Sequence, residues 1–137
     1  MKAIEVSPTT TVHISRRALS EIDESIFRAN LRVTTPAGDN LFANLIEGFK
    51  DSSLLFLRWI RDAYEKAETG NLEQNLRMLR NSALLIGASR LAGLSSDYLY
   101  AIREGQPFSS TDIDTLGQAS ISFCKAADRY RAEPHHN

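Results

Sequence analysis

The chain has 137 residues, of which 42% are hydrophobic and 24% charged, and this composition is typical of one globular domain and excludes wholesale disorder. Its formal net charge of -1 predicts no general affinity for nucleic acid or for an anionic membrane. The sequence has no membrane-spanning apolar run, no start resembling a signal peptide and one cysteine, Cys124, which together predict a cytoplasmic protein without membrane attachment or an intrachain disulfide.

The N-terminal part of the chain predicts a polar segment followed by a short helix. Residues 1–16 are rich in Ser, Thr and Val, and their composition leaves open whether they are disordered or lie extended on the domain. A short helix over 17–29 is predicted because its apolar residues recur at helical spacing. A loop rich in Pro, Gly, Asp and Asn follows, and Asp39 or Asn40 can cap the next helix by accepting its free N–H groups.

Two helices are predicted between this loop and Gly70. The first carries its apolar residues, Ile46 and Phe49 among them, on one face. The Asp-Ser-Ser sequence at 51–53 predicts a break or a new cap, after which a second helix covers 54–67. Gly70 is expected to end this helix, because glycine tolerates a positive φ. Three aromatic residues of the second helix are expected to pack in the core: Phe56, Trp59 and Tyr64.

The segment 71–93 is predicted to be the central helix of the domain. Its apolar residues advance by four and three positions in alternation and therefore form one buried stripe, made of Leu72, Leu76, Leu79, Ala83 and Ile86. At about 100° per residue, Arg77 lies opposite this stripe. The residues that share its outward face are Gln74, Asn81, Leu84 and Ala88, and Arg80 flanks this face.

The C-terminal part of the chain predicts further helix up to residue 131. Apolar residues continue at helical spacing after the central segment until Gly105 and Pro107 stop the run. A last helix begins after a Ser or Thr cap at 109–111, and its apolar positions, from Ile113 to Tyr130, have the three-and-four spacing of a packed bundle. We therefore expect an all-α protein, an antiparallel four-helix bundle over 17–131 with an additional short N-terminal helix and a tail at 132–137.

The run 77–88, Arg-Met-Leu-Arg-Asn-Ser-Ala-Leu-Leu-Ile-Gly-Ala, resembles the central helix of histidine phosphotransfer domains. In that family the helix reads His-x-Leu-Lys-Gly-Ser, a small residue, two variable residues, Leu or Ile, and then Gly-Ala. The residues that fit this pattern are Leu79, Ser82, Ala83, Ile86, Gly87 and Ala88. Arg80 keeps the charge of the family's lysine. Arg77 occupies the position of the phospho-accepting histidine, and Asn81 that of the usual glycine.

The resemblance implies a partner from bacterial two-component signalling, either a response-regulator receiver domain or a hybrid histidine kinase. A neutral imidazole is a nucleophile that accepts and returns a phosphoryl group, whereas a guanidinium stays protonated and does neither. We therefore expect a non-catalytic member that docks its partner without carrying phosphate and is not an enzyme. The expected partner-binding residues are those of the outward face: Gln74, Arg77, Arg80, Asn81, Leu84 and Ala88.

Other interpretations of these residues remain open. The outward face is also compatible with an ordinary solvated surface, and Leu84 and Leu85 with packing under the first helix or the N-terminal segment. A helical protein–protein interaction adaptor unrelated to phosphorelays is the alternative function. We expect no metal or cofactor, because the three histidines (His13, His135 and His136) are distant from the central helix and Cys124 lies apart from them.

Overall fold

The computed structural model describes residues 20–34, 36–38 and 40–133, and in these ranges the chain is helical, with no strand. The all-α prediction is thereby confirmed. The predictions for 1–16, and most of the predicted tail, lie outside the described ranges. The helices are α1 (Glu24–Asn30), α2 (Leu41–Glu65), α3 (Thr69–Leu85), α4 (Ser89–Arg103) and α5 (Ser110–Ala132).

The first helix begins later than its apolar spacing predicted. α1 starts at Glu24 because the side chain of Asp23 accepts hydrogen bonds from the N–H groups of Ser25 and Ile26. Residues 20–23 are not helical, and 17–19 lie outside the described residues. The only α1 side chain buried in the core is that of Phe27.

The predicted break at 51–53 is wrong, since α2 continues through it for 25 residues. Ser53 is buried, and its hydroxyl donates to the carbonyl of Lys50, one turn earlier in the helix, at 3.2 Å. The same hydroxyl accepts a hydrogen bond from Ser120 on α5 at 3.0 Å. A serine satisfied in this way is compatible with a helix interior. At the start of α2, Asn40 is the cap as predicted, accepting from the N–H of Ala43.

The prediction that Gly70 ends the preceding helix is also wrong. α2 ends at Glu65, and Gly70 lies in the first turn of α3. The corner is made instead by Ala67, which has a φ of +56°. The N–H of Ala67 bonds the carbonyl of Tyr64, and the N–H of Glu68 bonds that of Ala63, the paired bonds of a Schellman motif. Alanine thus occupies a position at which glycine is usual.

Replacing Ala67 with glycine is expected to stabilise the protein by about 0.5–1 kcal/mol. A left-handed backbone is unfavourable for an L-residue by about 1–2 kcal/mol, and glycine removes this strain at a somewhat smaller cost in chain entropy. Urea denaturation followed by circular dichroism measures the change. The matched control is Ala101→Gly inside α4, where the same atoms are removed from a regular helix and a loss of about 1 kcal/mol is expected. A loss of stability at both positions would contradict the assignment of strain to Ala67.

The predicted central helix is in fact two helices. α3 ends at Leu85, and α4 begins at Ser89. Between them Gly87 has a φ of +80°, and a second Schellman motif forms, with bonds from Gly87 N–H to the Leu84 carbonyl and from Ala88 N–H to the Ala83 carbonyl. The chain therefore reverses direction inside the segment 71–93.

The four longer helices pack around a common apolar core. α2 contacts α3 and α5, and α4 also contacts α3 and α5. The predicted apolar positions of α5 from Ile113 to Ala127 are buried, and Ser109 caps this helix through a capping box with Asp112. Of the three aromatic residues of α2 that were predicted to pack in the core, Phe56 and Tyr64 pack against it. The prediction is wrong for Trp59, which is 40% exposed. None of the helices in the described part combines the length and apolar character required to cross a membrane.

Candidate docking face on α3

The buried stripe predicted for the central segment is present. Its five residues, Leu72, Leu76, Leu79, Ala83 and Ile86, are each no more than 6% exposed. Leu79 and Leu76 lie at the centre of the core with no exposed surface. Because one side of α3 is anchored in this way, the opposite side is directed away from the core, and it carries Arg77 as the periodicity predicted.

Arg77 and Arg80 are partly exposed on this outward side. An Nη1 hydrogen of Arg77 is donated to the Gln74 side-chain oxygen at 2.8 Å, and the Nε hydrogen of Arg80 to the Asn81 side-chain oxygen at 3.2 Å. Within the described ranges, neither guanidinium has a carboxylate within ion-pair distance. Both bonds are to neutral amide oxygens, so both positive charges remain available to an acidic partner.

Leu84 extends this side of α3 with apolar surface. It lies four residues after Arg80 and seven after Arg77, so the three side chains are neighbours on one helix face. Leu84 is 56% exposed and Leu85 is 72% exposed. α1 does not cover them, and the interpretation that they pack beneath it is wrong. Whether residues 1–16 pack on them lies outside the described residues.

Ala88 does not belong to the outward face. It is fully buried and is the cap residue of α4, beyond the turn at Gly87. The prediction extended the helical periodicity through residues that are no longer helical, which rotated Ala88 to the wrong side. The residues that the structure brings together on the exposed side of α3 are Gln74, Arg77, Arg80, Asn81 and Leu84. We call this group the docking face.

Tyr100 on α4 is a neighbour of the docking face that the sequence analysis missed. α3 and α4 are antiparallel, because a three-residue turn connects them and Arg103 of α4 reaches Glu73 of α3 at 3.5 Å. Tyr100 and Arg77 each lie about one turn from this ion pair toward the turn at Gly87, and are therefore level with each other. Tyr100 is 62% exposed. Ser95 and Leu99 belong to the buried stripe of α4, and recognition of this stripe in the sequence would have placed Tyr100 outside the core.

The described residues offer few groups for covalent or metal chemistry. They contain no group of three or more His, Cys, Asp and Glu side chains that could hold a metal ion, and all three histidines lie outside the described ranges. Cys124 is half-buried, and burial raises the pKa of its thiol. A thiol in this environment stays protonated and packs as a small apolar side chain.

Comparisons with models of known protein families, with curated proteins and with solved structures found no match to this chain. The resemblance to histidine phosphotransfer domains therefore depends on the residues of α3 and the turn that follows it. Six positions of that pattern carry it, from Leu79 to Ala88.

Proposed function

We propose that this protein is a non-catalytic relative of histidine phosphotransfer domains that docks a response-regulator receiver domain or a hybrid histidine kinase without carrying phosphate. In this proposal, α2 to α5 form an antiparallel four-helix bundle, α1 packs across one end of it, and the protein acts in the cytoplasm within a bacterial two-component phosphorelay. The docking face is the surface that the partner contacts.

The observation that carries the proposal is the position of Arg77. It lies on the exposed side of α3, opposite the buried stripe, where the resembled pattern has its phospho-accepting histidine. A guanidinium is protonated throughout the physiological range and lacks the lone pair with which imidazole attacks a phosphoryl group. The position therefore supports recognition of a partner and not transfer of phosphate.

The chemistry of the docking face suits the proposed partner. A receiver domain presents acidic side chains around its phosphorylatable aspartate, with an apolar patch beside them. Arg77 and Arg80 supply two cations without an acidic partner in the described part of the chain, and Leu84 supplies exposed apolar surface one turn away. Arginine beside apolar side chains is a composition enriched in protein interfaces.

Replacing Arg77 with glutamate is expected to weaken binding to a cognate receiver domain by more than tenfold, or about 1.4 kcal/mol. The substitution places a negative charge against the acidic pocket of the receiver. Isothermal titration calorimetry against a panel of receiver domains, each with and without its phosphoryl group, measures the change. Arg129→Glu makes the same charge change in the last turn of α5, away from the docking face, and is expected to leave affinity unaltered. Equal affinities for the parent and Arg77→Glu would overturn the proposed role of the arginine.

The non-catalytic part of the proposal has a separate test. Incubation with a receiver domain that carries a labelled phosphoryl group is expected to leave the protein unlabelled. Transfer of the label to the parent chain would overturn this part and leave docking standing.

The second candidate function is a helical interaction adaptor unrelated to phosphorelays. The observation that favours it is the exposure of Leu84 and Leu85, adjacent residues that together offer apolar surface to a partner helix. The receiver panel separates the two functions, because the adaptor binds no receiver domain in either phosphorylation state. Its binding is expected to depend on Leu84 and Leu85 and to tolerate Arg77→Glu.

A further inference from the structure

The outer side of α2 carries a second exposed cluster, remote from Arg77. Phe49, Ser53 and Ile60 anchor the inner side of this helix in the core. On the opposite side Leu54 is 64% exposed and Leu55 is 41% exposed. Asp51 and Arg58, also exposed, lie on either side of these two leucines along the helix. We call Asp51, Leu54, Leu55 and Arg58 the α2 cluster.

The geometry of the α2 cluster follows from helix periodicity. Asp51 and Arg58 are seven residues, or two turns, apart, so they lie on nearly the same line along the helix, separated by about 10 Å. Leu54 and Leu55 are midway between them, one to each side of that line. The cluster thus has a negative end, an apolar centre and a positive end.

The two charges of the α2 cluster have no ionic partner in the part of the chain that the structure describes. Other charged residues of α2 do pair: Lys50 with Asp128 at 2.9 Å, Arg61 with Asp114 at 2.8 Å, and Asp62 with Lys66 at 3.2 Å. Asp51 and Arg58 are also too far apart along the helix to pair with each other. The two opposite charges lie symmetrically about the two leucines. If a second copy of the helix lies antiparallel against the first, each charge therefore meets the opposite charge of the other copy.

We propose that the protein forms a twofold symmetric homodimer in which two copies of α2 lie antiparallel across the α2 cluster. A twofold axis midway between Leu54 and Leu55 brings Asp51 opposite the partner's Arg58, and Arg58 opposite the partner's Asp51. Each leucine then meets its own equivalent at the centre. This is an isologous contact, the commonest kind in soluble oligomers, and it closes at two subunits.

The surface beside the α2 cluster adds apolar area on the α5 side. A groove of about 600 Å³ runs between α2 and α5, and its lining includes Leu54, Ile113 and Ile121. Ile121 is 48% exposed, and no atom outside the neighbouring backbone of α5 lies within 4 Å of where a Cβ on Gly117 would stand, so this flank is open. The twofold axis is perpendicular to α2 and lies in the plane of contact, so the α5 helices of both copies lie on the same side of the paired α2 helices. The two grooves then adjoin, and the dimer buries their apolar surface as well.

The next acidic residues along α2 do not oppose this arrangement. In the same register, Glu47 approaches the level of the partner's Asp62. Each of these carboxylates already pairs within its own chain, Glu47 with Lys50 and Arg131, and Asp62 with Lys66. Their charges are largely compensated, so the unpaired charges of Asp51 and Arg58 determine the register.

Exchange of the two charges tests the dimer. In sedimentation velocity over a concentration series, the parent chain is expected to dimerise, and Asp51→Arg and Arg58→Asp are each expected to weaken self-association at least tenfold. In a dimer of either single variant, residue 51 of each copy faces residue 58 of the partner copy, and the two residues carry the same charge and repel each other. An equimolar mixture of the two variants is expected to associate, because one copy then carries two arginines and the other two aspartates. The double variant with both substitutions is expected to recover the parent's self-association.

The remaining outcomes decide against the proposal. The dimer proposal is overturned if the parent chain sediments as a monomer up to about 1 mM. The same result is expected if the α2 cluster instead binds a helix of another protein. Single variants that dimerise like the parent, or a mixture that fails to associate, overturn the register. Glu104→Arg repeats the charge change of Asp51→Arg at the exposed end of α4 and is expected to leave self-association unchanged. Circular dichroism of each variant checks the fold. The result is independent of receiver binding, since the docking face lies on α3.

Discussion

Replacement of Phe27 by alanine is expected to lower the free energy of unfolding by about 4 kcal/mol. The side chain is fully buried and joins α1 to the rest of the core through three edge-to-face ring contacts. Its ring centroid lies 5.2 Å from that of Phe42 on α2, and 6.1 Å and 5.3 Å from those of Phe123 and Tyr130 on α5. Alanine removes the buried ring, leaves a cavity and deprives three other rings of their partner.

Urea denaturation followed by both circular dichroism and tyrosine fluorescence measures this loss. Phe56→Ala is the matched control, because it removes the same group from a partly buried site on α2 and is expected to have a smaller effect. A loss of less than about 1 kcal/mol for Phe27→Ala would mean that α1 detaches without weakening the packing of the other four helices. Hydrogen exchange of residues 24–31 would then show a local opening of α1 in the parent chain.

Gly87→Ala is expected to destabilise the protein by about 3 kcal/mol. The residue has a φ of +80°, which an L-residue adopts at a cost of about 1–2 kcal/mol. A Cβ at this position would also stand 3.3 Å from two ring atoms of Phe27 and 3.4 Å from the Cβ of Ile26. Because Phe27 is fixed by three other rings, the crowding adds about 1–3 kcal/mol. The carbonyl of Gly87 accepts from the N–H of Asp23 at 2.7 Å, so displacement of the turn also disturbs the start of α1.

Gly105→Ala separates the two causes of this loss. Gly105 ends α4 with a φ of +72° in a third Schellman motif, and no atom beyond its two neighbours in the chain lies within 4 Å of where the methyl carbon of an alanine would stand. Only the backbone strain applies there, and a loss of about 1 kcal/mol is expected. In a Phe27→Ala background, Gly87→Ala is expected to fall to the same small value, because the crowded ring is gone. Equal losses at both glycines in the parent background would contradict the close packing of α1 on the turn.

The turn at Gly87 matters for the docking face as well as for stability. It ends α3 immediately after Leu84 and Leu85 and turns Ala88 into the core. The exposed group from Gln74 to Leu84 therefore belongs to one helix, and α4 supplies Tyr100 beside it. In the proposed dimer, α2 would provide the contact between copies and the α3 faces of both copies would remain open. Taken with the proposed function, a dimer of this kind would offer one docking face on each copy, so that it could bind two receiver domains.

Several features of the fold were predictable because they depend on neighbours in the chain. The cap at Asn40 and the capping box at Ser109 follow from side chains that bond N–H groups two or three residues away. The buried stripe of α3 follows from the spacing of its leucines, and with it the outward position of Arg77. The exposure of Leu84 was left open by the sequence, since an apolar residue off the stripe suits either a second contact or a free surface.

The amino-acid sequence by itself determined the all-helical class, the caps of α2 and α5 and the side of α3 on which Arg77 lies, because periodicity and capping act over three or four residues. Only the tertiary structure decided that α2 runs unbroken, because Ser53 is buried against α5 and accepts a hydrogen bond from Ser120, 67 residues away. It also decided the corners, where Ala67 adopts a positive φ between packed helices and Gly87 lies against Phe27. These features depend on contacts between distant parts of the chain, and they determine which residues remain exposed for a partner.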